Sequence, residues 1–433
     1  MPTLFQEMLT NFEKTLTSVI QNGFYHPRFG DLASPKAVVL EASGPGLEID
    51  RGTIFHVTVT GRCNACCEGC INVSLTCGGR HEALSLFEAD PTREAQAVIT
   101  LAQGAERPIT VAFYGGEPFL APEKMDLMRR ILRAELGEEV RFMVYTNGML
   151  LDQALTKYPD LVRDLWLVSL SIDGQKEQHE AVRRGTNLDQ IHHNLKLLRT
   201  TFPQVRVLVW STLREEQSLT DCFVEFLNLY DQGLADYFFY HFAETEKPFT
   251  HFEDYLLRYE KEFSFLLEVF IRRLSEGELL PIVHLNELLA FILSGHRRGH
   301  TACGAELATN FDLVGGKVLA CADLPQELAL GEIAPGGEVS LKLHDLSFLA
   351  AYRHPLGCED CGIEPYCGGR CPVQALTGSP LRTRQYCQLL RLHVGLVQEA
   401  LPELQEVFNA YGLSAQDLYQ KVGFLARYTD VVP

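Results

Sequence analysis

Between Thr53 and Phe242 the sequence repeats one pattern six times: a short run of β-branched and aromatic residues, a loop, then a stretch with helical spacing. The runs are Ile54 to Thr60, Pro108 to Tyr114, Phe142 to Tyr145, Leu165 to Ile172, Val205 to Ser211 and Tyr237 to Phe242. Pro122 to Leu136, Leu188 to Leu198 and Leu219 to Leu229 are helical stretches between them. A further helix begins where Asp90 can cap and Pro91 can occupy the first position. Strands that alternate with helices pair as a parallel sheet with right-handed crossovers. The expected class is therefore α/β, a partial (β/α)6 barrel of the TIM type over residues 53–245, open on one side.

In parallel β/α architectures the loops after the carboxyl ends of the strands carry the chemistry. Cys63, Cys67 and Cys70 follow the first strand, Gly115, Gly116, Glu117 and Pro118 the second, and Thr146, Asn147 and Gly148 the third. Ser171, Ile172, Asp173 and Gly174 close the fourth, Ser211 and Thr212 the fifth, and His241, Glu244 and Glu246 the sixth. All of these groups are expected on one face of the sheet.

Thirteen cysteines in 433 residues sharpen that expectation. The chain is long enough for two or three domains, and 46% hydrophobic residues exclude a disordered chain or a small disulfide scaffold. Met1 to Phe24 contains no basic stretch followed by an apolar core, and no window holds about 18 uninterrupted apolar residues, so a cytoplasmic protein with no membrane partner is expected. In a reducing compartment such cysteines point to metal or thiol chemistry. A formal charge of −18 speaks against nucleic acid as a partner.

The cysteines fall in two groups. Cys63-x3-Cys67-x2-Cys70 brings three thiolates together in one loop, which suits an iron–sulfur cluster with one iron free of protein ligands. A closed zinc site needs four ligands, and Cys66 or Cys77 would complete one, so spacing alone leaves zinc open. Cys222 stands alone, as a buried thiol does. The rear group is Cys303, Cys321, Cys358, Cys361, Cys367, Cys371 and Cys387; seven is an awkward number for zinc ribbons, which use ligands in fours.

The Cys63-x3-Cys67-x2-Cys70 loop, with Tyr114-Gly115-Gly116-Glu117-Pro118, Tyr145-Thr146-Asn147-Gly148 and Ser171-Ile172-Asp173-Gly174 after later strands, resembles the radical SAM superfamily over Thr53 to Phe242. The order and spacing of the rear cysteines, including Cys367-Gly368-Gly369-Arg370-Cys371-Pro372, resemble the SPASM extension of such enzymes over about Thr301 to Leu390. The resemblance implies a four-iron four-sulfur (4Fe-4S) cluster on Cys63, Cys67 and Cys70, whose free iron is chelated by S-adenosylmethionine (SAM). One electron then cleaves SAM to a 5′-deoxyadenosyl radical that abstracts hydrogen. It also implies that Gly115, Gly116 and Glu117, with Pro118, bind the methionine ammonium. Ser171, Asp173, Asn147 and Ser211 would reach ribose or methionine groups, and Arg183 the methionine carboxylate. Two auxiliary 4Fe-4S clusters are implied, one held by Cys358, Cys361, Cys367 and Cys387, the other by Cys303, Cys321 and Cys371. The second lacks a fourth cysteine; His296, His300, an open position or a substrate thiolate would complete it. In one departure, Gly69 stands where the family has an aromatic residue beside the adenine. Cys66 and Cys77 are additional to the pattern and are expected to be bystanders.

By this resemblance the chain is expected to modify a ribosomal precursor peptide, one that can contain Cys. It would form an oxidative thioether or carbon-linked crosslink, with flavodoxin or ferredoxin as electron donor. Competing readings are a sulfatase-maturing, formylglycine-generating enzyme, a small-molecule dehydrogenase, an iron–sulfur electron carrier and a zinc-dependent interaction protein. His241, Glu244 and Glu246 are the candidates for acid–base or substrate contact. The expected organisation is an amphipathic helix and connecting segment over 1–52, the barrel over 53–245, a helical bridge over 246–300, the cysteine-rich region over 301–390 and a helical segment over 391–433. The 50 residues before the barrel are not expected to make a complete independent peptide-binding domain.

Overall fold

The strand β1, Thr53–Thr60, is buried along its whole length, so both faces of the sheet around it must be covered. In the computed structural model, which describes residues 2–19, 25–28, 30–31, 47–49, 52–70, 87–244, 247–342 and 345–422, β1 lies inside a ten-stranded sheet. Its companions are β2 (Ile109–Gly115), β3 (Val140–Thr146), β4 (Leu165–Ser171), β5 (Arg206–Leu213), β6 (Tyr237–Phe242), β7 (Asn310–Val314), β8 (Lys317–Leu319), β9 (Gly331–Ile333) and β10 (Val339–Leu341). The order is β6-β5-β4-β3-β2-β1-β7-β8-β9-β10. The first six strands run parallel in sequence order, the (β/α)6 arrangement expected.

The sheet does not stop at the sixth unit. β7 pairs with β1 in parallel, opposing Asp312 to His56, and β8, β9 and β10 continue antiparallel. The cysteine-rich region is thus welded to the barrel edge through backbone hydrogen bonds. Sequence patterning missed β7 because Asn310 and Asp312 break its apolar run, yet both are buried.

Alternation along the strands sorts side chains to the two faces. Phe55, Val111, Phe113, Phe142, Val144, Val168 and Val209 face the layer of helices α1 to α4 that follow β1, β2, β4 and β5. These helices are Pro91–Ala102, Pro122–Leu136, Leu188–Thr201 and Leu219–Asp231. Each buried Phe or Val contributes about 1.5–3 kcal/mol. Helix starts follow local chemistry: Asp90, Asn187 and Ser218 each cap α1, α3 and α4 with a side-chain oxygen accepting from backbone N–H groups. Ile54, Ala112, Met143, Leu167, Leu208 and Phe239 form a smaller core on the other face. Val283, at the start of the helix Val283–Ser294, and Val422, at the end of the helix Ala415–Val422, cover it.

The amino-terminal helix Pro2–Val19 packs Phe5, Phe12 and Leu16 against Tyr352, Leu356 and Cys358 of the cysteine-rich region. Its apolar stripe is therefore spent inside the fold. The long helices Phe252–Ser275 and Pro380–Tyr411 pack on the body, and the second contains Pro402. Cys77, Glu246 and most of the segment Gly23 to Gly46 lie outside the described residues.

Candidate functional site

A cavity of about 250 Å³ opens at the carboxyl ends of the parallel strands. Tyr114, Tyr145, Trp210 and His56 project into it from the inner face and make an aromatic wall. Tyr145 packs edge-to-face on Tyr114 and on Trp210, each at 5.5 Å between ring centres, and its hydroxyl meets His56 Nε2 at 3.2 Å. Cys63, Cys67 and Cys70 line one side of this cavity; Cys303, Cys321 and Cys371 line another. The two cysteine groups, about 230 positions apart in sequence, share one space.

The front cysteine loop is pinned at several points. A bulge in the β1–β2 register between Thr58 and Thr60 releases the chain into the loop. Cys66 and Cys67 then pair antiparallel with Arg184 and Arg183, and the Glu68 N–H donates to the Val182 carbonyl at 2.7 Å. From the other side the turn after β2 closes onto the loop, with Gly116 N–H donating to Thr60 O and Glu117 N–H to Arg62 O, both at 2.8 Å. A Cβ at Gly116 would lie 2.1 Å from Arg62 O, and one at Gly115, whose φ is +129°, 2.3 Å from Thr60 O. Only glycine permits this approach at both positions.

Of the residues expected to bind the cofactor, Gly115, Gly116, Asn147, Ser171 and Arg183 line the cavity. Glu117, Pro118, Asp173 and Ser211 do not. The Glu117 carboxylate is fully buried and accepts from the Thr146 hydroxyl (2.8 Å), Asn147 N–H (2.8 Å) and Phe119 N–H (3.1 Å), tying the loops after β2 and β3 together. Burial pushes its carboxyl up to about 7, against the pull of those three donors. Ser211 points to the opposite face of β5, where its hydroxyl donates to Ile172 O at 2.5 Å; its neighbours Trp210 and Thr212 take the cavity side. That reversal follows from the period of two along a strand, which places the cavity-facing residues one position either side of Ser211.

Asp173 is also turned inward. Arg183 grips it through Nε (2.7 Å) and Nη2 (3.0 Å), Arg214 through Nη1 (2.9 Å), and Thr212 N–H donates to it at 2.8 Å. Although burial opposes ionisation, the two guanidinium groups hold its carboxyl well below the usual carboxylate range. Arg183 thus has its fork on Asp173 while its side chain still borders the cavity. Arg214, which sequence reasoning missed, lies on the cavity wall as well.

At the rear, Cys358 lies near Cys387, Cys367 and Cys361, and Cys371 near Cys303 and Cys321. Cys303, Cys321 and Cys371 line the cavity, whereas Cys358, Cys361, Cys367 and Cys387 do not. Burial raises the thiols of Cys63 (to about 11), Cys67, Cys321, Cys358, Cys367, Cys371 and Cys387, and that of the lone Cys222 as well. Three thiols on a shared wall suit a cluster that leaves one iron facing the cavity. Among the described residues no three Cys, His, Asp or Glu side chains converge as a single metal ion requires.

Neither His296 nor His300 lines the cavity: His296 packs on Phe291 at 4.7 Å, and His300 Nδ1 sits 2.6 Å from Thr301 O. Asp312 and Asp323 do line it, beside Cys321. His241 and Glu244 are on the wall too. Burial, aided by Arg370, pushes His241 down to about 3, so its ring is neutral, with Nε2 at 2.9 Å from the Thr212 hydroxyl. Glu244 pairs with Arg370 Nη1 at 2.6 Å, while burial raises its carboxyl.

Residues 57–214 match the model of the Radical SAM superfamily. No curated protein matches the sequence. Among solved structures, anSMEcpe with bound AdoMet is similar at a TM-score of 0.60 and 18% identity, over 88% of this chain and 98% of that one. The same protein with bound AdoMet and a Cp18Cys peptide gives 0.59 and 18%, over 84% and 100%. Streptococcus suis SuiB bound to its precursor peptide SuiA gives 0.46 and 13%, over 77% and 73%. At 18% identity the likeness to anSMEcpe is one of fold. No helix among the described residues is long and apolar enough to cross a membrane.

Proposed function

We propose that this radical SAM enzyme abstracts a hydrogen atom from a residue of a ribosomal precursor peptide and forms an oxidative crosslink, a thioether or carbon-linked bridge. The observation that carries the reading is the shared cavity: Cys303, Cys321 and Cys371 open onto the same space as Cys63, Cys67 and Cys70. A substrate residue held there for hydrogen abstraction lies beside a three-cysteine site with room for one further ligand, such as a substrate thiolate. That anSMEcpe is known with AdoMet and a Cp18Cys peptide bound is consistent with a fold that admits a peptide.

Cys63, Cys67 and Cys70 would hold a 4Fe-4S cluster that, with SAM bound, supplies one-electron cleavage of the sulfonium and a hydrogen-abstracting radical. The chain's own residues set the stage for it. Gly115 and Gly116, on the cavity wall, would offer backbone carbonyls to an ammonium group, while Glu117 stays behind them as the brace between two loops. Asn147 and Ser171 offer polar groups at the cavity wall. The aromatic wall of Tyr114, Tyr145 and Trp210 would exclude water from the site and give apolar substrate surface a place to pack. His241 Nδ1 and Asn310 Oδ1 are buried polar atoms of wall residues with no protein partner among the described residues, which suits a ligand that brings its own donors. Cys358, Cys361, Cys367 and Cys387 would hold an auxiliary cluster, and Cys303, Cys321 and Cys371 another, the two forming an exit for the electron left on the substrate. A flavodoxin or ferredoxin would deliver the electron that starts the reaction.

Incubation of the anaerobically reconstituted enzyme with SAM, reductant and the Cys-containing product of a short open reading frame beside the gene is expected to remove two hydrogens per crosslink. Formylglycine formation would instead remove the sulfur of a Cys, or leave on a Ser an aldehyde that a hydrazide reagent labels, so intact mass together with carbonyl labelling separates the two readings. Cys371→Ala is expected to keep peptide-independent 5′-deoxyadenosine formation within about twofold while losing the crosslinked product, because the front loop is untouched. Equal loss of both activities in that variant would contradict separate roles for the two cysteine groups.

A further inference from the structure

Arg214 sits at the end of a chain of contacts that begins at the front cysteines. Its Nε donates to the carbonyl of Glu68, inside the Cys67 to Cys70 turn, at 2.6 Å. Its Nη1 donates to Asp173 at 2.9 Å, to Gln217 Oε1 at 2.8 Å and to Thr212 O at 3.2 Å. Asp173 in turn holds Arg183, whose backbone pairs with Cys67. The same turn is thus gripped on one side by the Arg183 backbone and on the other by the Arg214 side chain, with one buried carboxylate tying the two together. Gly69 completes the fit: its φ is +58°, and a Cβ there would point at Arg214 Nε from 3.7 Å.

We propose that Arg214 is a positioning residue for the radical cluster: it clamps the Cys67 to Cys70 turn onto Asp173 and, with Arg183, leaves net positive charge beside the cysteine thiolates. The glycine at 69, with φ of +58°, lets the turn take the left-handed conformation that sets the Glu68 carbonyl beside the guanidinium. Two guanidinium groups against one carboxylate leave one positive charge beside the Cys67 to Cys70 turn. A cluster carrying thiolate ligands gains from that charge, most of all when reduced. The neutral alternative, an arginine that merely fills the interior, predicts no effect specific to this cluster. The inference rests on the reading that Cys63, Cys67 and Cys70 hold a SAM-binding cluster.

The test compares wild type, Arg214→Gln and Arg214→Lys after anaerobic reconstitution, without any peptide. Two quantities are read: the rate at which an iron chelator strips the cluster that SAM perturbs, and the SAM-induced change in the electron paramagnetic resonance signal of the dithionite-reduced enzyme. Arg214→Gln is expected to release that iron about 10-fold faster, the scale of lost outer-shell support at metal sites, with a weakened SAM-induced change. Arg214→Lys keeps the charge but not the fork; it should lose the chelator resistance while retaining more of the spectral response. Iron held at Cys358, Cys361, Cys367 and Cys387 and an unchanged melting midpoint report that the variants are folded; where the Gln variant fails them, the Lys variant decides. Wild-type iron release and wild-type spectra in both variants would overturn the clamp. A wild-type enzyme showing no SAM-induced change would overturn it together with the reading it rests on, so the two failures are distinguishable.

Discussion

Replacement of Cys63, Cys67 or Cys70 by Ala is expected to abolish 5′-deoxyadenosine formation from SAM to the limit of detection and to lower iron content by about four atoms per chain. Three protein thiolates are the minimum that leaves one iron for SAM, so no single loss can be shared among the remaining ligands. All three side chains face the cavity, and no fourth described cysteine stands on that side of it to substitute. Cys66 supplies the control. It is exposed, pairs with Arg184 through its backbone and does not line the cavity, so Cys66→Ala should retain both iron and SAM cleavage. Iron assay and chromatographic detection of 5′-deoxyadenosine check both outcomes, and equal behaviour of Cys63→Ala and Cys66→Ala would remove the basis for the front cluster.

Asp173→Asn is expected to be the most destabilising single change near the site, costing about 3–5 kcal/mol. The side chain is fully buried and accepts from Arg183, Arg214 and Thr212. An amide of the same shape leaves two guanidinium groups in the interior without their counter-charge, and its NH₂ faces donors on at least one side. Because Asp173 titrates below its ordinary range, it stabilises the fold fully above that range, and the contribution is lost as pH falls through it. Wild type should therefore lose stability on acidification more steeply than Asp173→Asn, the gap between their urea midpoints closing at low pH. A constant gap from neutral to acid pH would show that the carboxylate charge is not what matters. Loss of this hub should also loosen the cysteine turn, which couples the stability defect to the cluster.

The barrel was legible because its signals are local. β6 runs Tyr237–Phe242 as the apolar run predicts, and β1 to β5 differ from expectation by a residue or two at their ends, where fraying and turn geometry decide. β7 was not legible: Asn310 and Asp312 interrupt its pattern, and what makes them tolerable is burial against β1 and the cavity, contacts that reach across about 250 residues. The cysteines named the site, since ligand spacing within a turn is a short-range property. Side-chain direction was not available in the same way. Glu117 and Asp173 occupy the positions that motif matching assigns to cofactor contact, but each is spent on the protein, because loops around a cavity need internal anchors and a carboxylate that accepts several donors is an effective one. Ser211 was placed on the wrong side of β5 by one residue, which a strand converts into the opposite face. Arg214 carried no motif at all; only the approach of β5 to the front loop makes it a neighbour of Glu68.

The central claim is that one chain carries a SAM-cleaving cluster on Cys63, Cys67 and Cys70 and a second set of cluster ligands opening on the same cavity. Anaerobic reconstitution of the full chain, followed by assay of iron, sulfide and 5′-deoxyadenosine in one sample with SAM and dithionite, tests it most directly. The account predicts about twelve irons and twelve sulfides per chain, three clusters' worth, with 5′-deoxyadenosine accumulating. About four irons per chain with SAM left intact would contradict it.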